Sequence, residues 1–384
     1  KVEIFFSGCL SRQVSCLDLA DKGLKNLKYP TGKQESCTCI QQENGDIMKQ
    51  AVLKQQGVLA IADVQEDLTL QADEVLVEVK VVTICGSDLS YFQAETLPHD
   101  LQYPLVLGHE MAGIVKETGT AVSSVQKGDR VAVEPQSYCG HCEACQRGDY
   151  NFCESLQFMA SKGISGALKQ YVKWPQSSIY KLEDSMSFEE GALLEPLSVA
   201  YSAIEKLDFH KESRLVILGA GSIGLLMGVL MQELYPEVSV HLVDVYESKR
   251  DIGERLHMKK DQFLIETAYE LESMKPFTHI IDTTGNSEVV KQFLQHSIPQ
   301  AVLLELGVSD RPLEISFKDI VYQGLRIIGS YRYTNTYPKL LKLFREQHLQ
   351  VRDIITGRYP FEAVQTAFEQ AMDGRHHSKI AIYL

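Results

Sequence analysis

Four cysteines crowd the stretch CGHCEACQRGDYNFC, at Cys139, Cys142, Cys145 and Cys153. Four thiolates on one short lobe suit a closed tetrahedral zinc with no position left for a substrate, so such a site would be structural. A looser set lies upstream: Cys85 in ICGSDLSYF, then His109 and Glu110 in LGHEMAG. A thiolate, an imidazole and a carboxylate on separate loops could supply a zinc that keeps one position open. Glu195 raises a related question, because it is the one carboxylate in ALLEPLSVAYSA, a run otherwise apolar or hydroxyl-bearing. Beside Pro196 it reads as an exposed acid at a helix start. If it is buried instead, it needs a partner charge or a metal.

A third set binds a different kind of ligand. LVILGAGSIGLL places Gly219, Gly221 and Gly224 in G-x-G-x-x-G spacing, between an apolar strand and an apolar helix, and Asp244 ends the next strand 20 residues after Gly224. The glycines permit a tight turn and close approach of a pyrophosphate to a helix N-terminus. The acid can accept hydrogen bonds from both hydroxyls of the adenosine ribose. Asp244 should repel a 2′-phosphate, which favours NAD over NADP, while Lys249 and Arg250 nearby soften that preference. Gly219, Gly221, Ile223, Gly224, Asp244 and Lys249 form the expected cofactor-binding set.

Two kinds of element must hold these groups. From Met48 the chain is β-rich: EVLVEVKVVTIC alternates as a half-buried strand does, and GIVKETGTAVSSVQKGDRVAVEP gives short β segments between glycine turns. After Pro196 come RLVILGAG, SVHLVDV, THIIDTTG, AVLLELG and LRIIGS, short apolar strands mostly separated by helix-length segments. That pattern predicts a parallel sheet with helices on both faces, hence an α/β fold. The tail from Pro338 to Gly374 reads as helix, short strand, helix.

Composition narrows the partners. With 384 residues and 44% hydrophobic content the chain can build two domains. A formal charge of −13 leaves no basic excess for phosphates or anionic membranes, so neither nucleic acid nor membrane is an expected partner. No run approaches the ~18 apolar residues of a transmembrane helix, and the expected location is cytoplasmic. The first 47 residues carry six basic and six acidic groups, so the whole net charge belongs to residues 48–384. The working protein is expected to begin near Met48, with 1–47 an extension of unknown role or a cloning artefact. Cys9, Cys16, Cys37 and Cys39 lack the surroundings of a metal site.

The order CGSD, GHE, four cysteines, EPLS, GAGSIG resembles the zinc-dependent medium-chain dehydrogenases over essentially all of residues 48–384. FEEGALLEPLSVAYSA and RYTNTYP are similar to the polyol (sorbitol, or L-iditol) dehydrogenases within that family. The resemblance implies a GroES-like catalytic domain over 48–197 with both zinc sites, a Rossmann NAD-binding domain over 198–329, and a C-terminal catalytic part over 330–384. It implies two zinc ions per subunit: Cys85, His109 and Glu110 hold the catalytic one, with Glu195 facing it, and the four-cysteine lobe holds the structural one. It further implies that Ser87 accepts the substrate's hydroxyl proton and that Tyr91, Glu195, Arg332 and Tyr333 line a polyol pocket. The reaction implied is oxidation of a secondary alcohol of a sorbitol- or xylitol-like polyol to a ketone. Zinc serves as Lewis acid and NAD takes the hydride.

Two departures stand out. Many relatives carry a proton-relaying His five residues after the zinc cysteine, where this chain has Ser90. FMASKGISGALKQYV lacks the acidic D-G-G type turn common in relatives. L-Threonine, sugar acids, 2,3-butanediol and polyol phosphates are alternative substrates. A catalytically inactive NAD-binding structural protein is a remoter alternative, disfavoured by the presence of Cys85, His109 and Ser87. A homo-oligomer, dimer or tetramer, is expected from the resemblance alone.

Overall fold

Apolar alternation becomes strand wherever a neighbouring strand can take up the backbone bonds. The computed structural model describes residues 46–95, 97, 101–161, 163–265, 271–347 and 349–384. The expected extension, with its four early cysteines, lies outside them except for Asp46 and Ile47, which open the first strand. In chain order, β1 (Asp46–Gln55) and β2 (Val58–Glu66) form a hairpin, followed by β3 (Glu74–Thr83), β4 (Glu110–Thr118) and β5 (Arg130–Val133). β6 (Gln136–Ser137) and β7 (Gln157–Phe158) pair across the cysteine lobe, and β8 (Tyr171–Pro175) and β9 (Ile179–Lys181) come next. Then β10 (Arg214–Leu218), β11 (Ser239–Asp244), β12 (Phe263–Ile265), β13 (Phe277–Asp282), β14 (Ser297–Glu305) and β15 (Arg326–Gly329) lead to β16 (Ile355–Pro360) and β17 (Lys379–Tyr383).

Six of the strands after Pro196, β10 to β15, form a parallel sheet in the order β12-β11-β10-β13-β14-β15. This is the doubly wound Rossmann order, and its crevice opens at the C-terminal ends of the strands where the winding reverses beside β10. The main sheet of the β-rich part, GroES-like in make-up, has the order β16-β17-β3-β4-β5-β9 with β8 also paired to β3, and the β1–β2 and β6–β7 pairs stand apart from it. Expected as half-buried, β3 is buried along most of its length. It lies centrally in that sheet, and helix Phe188–Ala192 packs on it as well. The tail from Pro338 to Gly374 follows the expected order, with helix Tyr337–Gln347, β16 and helix Val364–Ala371, and beyond it β17 slots antiparallel beside β3.

Helix Leu194–Ile204 explains the fate of its carboxylate. Leu193, Leu194 and Leu197 are fully buried in the apolar core that also holds Val81, Ala112 and Ala132 of the β-rich sheet and Leu225 and Leu230 of helix Ser222–Leu234, and burying each such side chain contributes about 1.5–3 kcal/mol. That burial carries Glu195, in the helix's first turn, below the surface with them. Among the described residues no helix is long and apolar enough to cross a membrane.

Candidate active site

Cys85 caps helix Gly86–Gln93, and the third helical residue, Asp88, reaches back to it. The Asp88 carboxylate accepts hydrogen bonds from the Cys85 amide at 3.1 Å and the Gly108 amide at 3.0 Å. One buried acid therefore ties the cysteine loop to the His109 loop. Its Oδ1 also lies 3.6 Å from His109 Nδ1, which orients the ring as acid–imidazole pairs do in metal sites. Burial alone would raise the Asp88 carboxyl, but His109 and the two amides outweigh it and hold it low. For His109 burial works downward, and Asp88 and Cys85 together push the imidazole well above its ordinary range.

Glu110 opens β4 directly opposite Thr83. Its carboxylate accepts from the Thr83 hydroxyl and from Lys379 Nζ at 2.7 and 2.9 Å, and Lys379 also donates to the Ile84 carbonyl at 3.1 Å. Candidate ligand atoms of Cys85, His109 and Glu110 all lie within 4.8 Å of one another. Three different donors converging in a buried place suit a zinc with an open position. Such an ion would share Glu110 with Lys379.

Glu195 stands outside that tight group but is only 5% exposed, so it is not the surface helix-start acid that its neighbour Pro196 suggested. Burial, abetted by Glu110 and opposed by His109 and Lys379, pushes its carboxyl up to about 7. The Tyr333 hydroxyl faces it, buried and without a hydrogen bond of ordinary geometry. The Arg332 guanidinium lies 3.9 Å over the Phe158 ring, and that ring packs 5.3 Å from His109. Tyr91, half-buried on helix Gly86–Gln93, sits in the field of Asp88, His109 and Arg332. Tyr91, Arg332, Tyr333 and Glu195 thus gather around the metal-ligand set. Ser87 is exposed on the helix's first turn, and the Ser90 hydroxyl donates back to the Gly86 carbonyl at 3.1 Å.

The sulfurs of Cys139, Cys142, Cys145 and Cys153 also fall within 4.8 Å of one another, and none is in a disulfide. Cys142 and Cys139 donate their amides to neighbouring sulfurs at 3.3 and 3.4 Å. Amide bonds from His141 and Cys142 lower the Cys139 thiol, which favours the thiolate a zinc requires.

The dinucleotide cleft is built from backbone. Gly219 has φ +99°, and a Cβ on Gly224 would lie 1.9 Å from the Gly219 carbonyl oxygen, whereas one on Gly221 would meet open space. Helix Ser222–Leu234 starts at Gly221 with no side-chain cap, leaving its first amides toward a cleft of about 340 Å³. Ile223 is half-buried against the core behind it. Asp244 accepts from the Ala220 amide at 2.9 Å and the Tyr246 amide at 3.0 Å. Lys249 is buried and donates to the His377 carbonyl at 2.8 Å, and Arg250 pairs with Glu247 at 2.6 Å. The Ser378 hydroxyl, buried without a partner at the same cleft, is a donor waiting for a ligand. These features fit a dinucleotide.

Residues 71–184 match the family model of the alcohol dehydrogenase GroES-like domain, and residues 188–381 that of the glucose dehydrogenase C-terminus. A sorbitol dehydrogenase of Bacillus subtilis is 31% identical over 321 residues, covering 81% of this chain and 90% of that protein. The chain belongs to the zinc-type medium-chain dehydrogenases. An L-idonate 5-dehydrogenase of Vitis vinifera is 30% identical over 323 residues, 81% of this dehydrogenase and 88% of the plant protein. A crystal structure of an Escherichia coli oxidoreductase of unknown specificity superposes with a TM-score of 0.81 at 30% identity, over 88% of this chain and 99% of that one. This dehydrogenase is an alcohol oxidoreductase whose cofactors are zinc and a nicotinamide dinucleotide.

Asp88, Lys379 and Ser378 escaped the sequence reading. Lys379 had the same signal as Glu195, a lone charge leading the apolar run KIAIYL. Asp88 had none, because an acid at the third position of a helix is ordinary.

Proposed function

We propose that this dehydrogenase oxidises a secondary alcohol of a sorbitol- or xylitol-like polyol to a ketone and passes the hydride to NAD. The observation carrying the reading is the pair of unsatisfied polar groups beside the metal-ligand set. The buried Tyr333 hydroxyl, facing Glu195, makes no hydrogen bond of ordinary geometry, and among the described residues no carboxylate forms an ion pair with Arg332. Several vicinal hydroxyls would satisfy both and orient the reacting carbon. Zinc held by Cys85, His109 and Glu110 supplies a Lewis acid at the alcohol oxygen, and NAD supplies the hydride acceptor.

The chain's own residues do the rest. Asp88 fixes the His109 ring, Lys379 holds Glu110, and Glu195 closes the pocket floor opposite Tyr333. Ser87 takes the hydroxyl proton. Its exposure beside Gly86, with Ser90 turned onto a helix carbonyl, supports release to water without a histidine relay. NAD rather than NADP is favoured because Asp244 is pinned at the cleft by two amides while Lys249 and Arg250 are committed to other partners. The division into 48–197 with 330–384 as catalytic domain and 198–329 as cofactor domain is part of the same reading. So are a cytoplasmic location and structural zinc on the four cysteines, the latter supported by their sulfurs lying within 4.8 Å of one another. A homo-oligomer is supported by the sheet edge at β15, beside which Val308 is 96% and Phe317 87% exposed.

A second reading has one observation behind it. An Arg332 without an acid partner would also suit the carboxylate of a sugar acid. Absorbance of NADH with sorbitol, xylitol, L-idonate, L-threonine, 2,3-butanediol and a polyol phosphate, each with and without chelator, tests both. Chelator-sensitive turnover of sorbitol or xylitol well above the others supports the first reading. Preference for L-idonate moves it to the second, and turnover of none of the six sinks both.

A further inference from the structure

The stretch Tyr331 to Asn335 carries the two pocket residues Arg332 and Tyr333 in a backbone that would not hold itself. Arg332 has φ +51° and Asn335 φ +54°, both left-handed and neither glycine. Side chains pay for such conformations only where surrounding structure over-determines them. Here the surroundings come from the four-cysteine lobe and the strand that enters it. The Asn151 amide donates to the Tyr331 carbonyl at 2.7 Å, Gln136 Nε2 donates to the Tyr333 carbonyl at 3.1 Å, and the Asn335 amide donates to the Tyr150 hydroxyl at 2.7 Å. Phe152 packs its ring 5.7 Å from Tyr331.

These anchors are set by the lobe. Tyr150, Asn151 and Phe152 form the single turn that runs directly into Cys153, and the Cys153 amide donates to the Tyr150 carbonyl at 3.0 Å. Tyr138, next to Cys139, stacks on Tyr150 at 4.1 Å. The Tyr150 hydroxyl and Gln136 Nε2 both donate to buried Glu134 Oε1, at 2.9 and 3.1 Å, so one carboxylate aims two of the three anchors.

We propose that the four-cysteine lobe is a specificity element of the active site, in which Asn151, Tyr150 and Gln136 act as positioning residues that hold Arg332 and Tyr333 against the substrate. It rests on the reading that Arg332 and Tyr333 contact the polyol. Loosening the lobe then weakens substrate capture while leaving conversion of bound substrate nearly intact, because none of the three anchors touches the metal-ligand set.

The test uses the full chain with Asn151→Ala and Tyr150→Phe. Each deletes one anchor, and the second keeps the ring. Expected for both is a rise of about tenfold in KM for the polyol, the worth of one hydrogen bond. Expected also are kcat and KM for NAD within about twofold and zinc content unchanged. Amide hydrogen exchange supplies a readout free of turnover: in Tyr150→Phe the Asn335 amide should exchange faster, with the Rossmann strands unaffected. Unchanged polyol KM and unchanged exchange over 331–335 overturn the proposal. So does a joint loss of kcat, NAD affinity and zinc, the mark of a merely structural lobe. Arg332→Ala separates the two layers. If it leaves polyol KM unchanged the pocket reading fails, whatever the exchange data say of the anchors. If it raises KM while the anchor variants do not, only the role of the lobe fails.

Discussion

Replacing Lys379 with methionine asks whether Glu110 faces a metal. The ammonium is buried, bonded to both Glu110 oxygens at 2.7 and 2.9 Å, and Glu110 itself is 0% exposed. Removing one member of a buried pair leaves an uncompensated charge and is destabilising by about 3–5 kcal/mol. That loss should appear almost whole in metal-free protein. With zinc bound the dication compensates Glu110 instead, so the loss should shrink. By linkage the difference equals a gain in zinc affinity, and about 3 kcal/mol of it is roughly a hundredfold. Urea unfolding of wild type and Lys379→Met, each stripped and zinc-loaded, closes the cycle, and the contribution of the cysteine lobe cancels because it is common to both proteins. Competition with a chromogenic chelator measures the affinity directly. Equal destabilisation with and without zinc would refute the reasoning, since it would mean that Glu110 and the metal do not meet.

Gly224→Ala should abolish NAD binding in calorimetry or leave the chain unfolded, because the new methyl would sit 1.9 Å from a carbonyl oxygen that cannot move. Glu134, buried, titrates near 7 in the folded chain against an ordinary value of 4.5. The folded state therefore holds the extra proton between those values, and stability should fall by about 3 kcal/mol as pH rises through that window. Denaturation of wild type against Glu134→Gln across pH 4 to 8 should show the slope in wild type and its loss in the variant. Cys145→Ser should cost the protein its lobe zinc, read as metal per chain by atomic absorption, while Cys85→Ser should remove the other ion and leave the lobe loaded. Asp244→Ser should raise activity with NADP relative to NAD, and an unchanged ratio would mean that Asp244 does not read the ribose.

The sequence disclosed most where chemistry and spacing coincide. The G-x-G-x-x-G turn, the four cysteines and the five apolar strand runs after Pro196 each reappear as local structure, because each depends on neighbours a few residues away. β3 misled because alternation reports one face, whereas its burial depends on strands and a helix from distant parts of the chain. β17 lies beyond the tail pattern that ends at Gly374, although Asp373-Gly374 is a turn signal ahead of KIAIYL. The buried place of Glu195 was not legible in its own neighbour Pro196; the family resemblance put it at the metal, and the three leucines packed with it determine its depth. The anchors on residues 331–335 were out of reach, as Asn151 and Tyr331 are 180 positions apart and pair through a backbone carbonyl.

The placement of β17 has a consequence for how the molecule is made. Its partner strand β3 leaves the ribosome almost 300 residues earlier, Thr83 pairing with Ala381, and the whole cofactor-binding sheet is synthesised in between. Contacts of such long range form late, so the parallel sheet can assemble while the catalytic half still has a slot open beside β3. Until that slot is filled Glu110 has no ammonium to face. The metal pocket and the His377–Ser378 rim of the dinucleotide cleft are therefore completed together, by the last residues of the chain to be made.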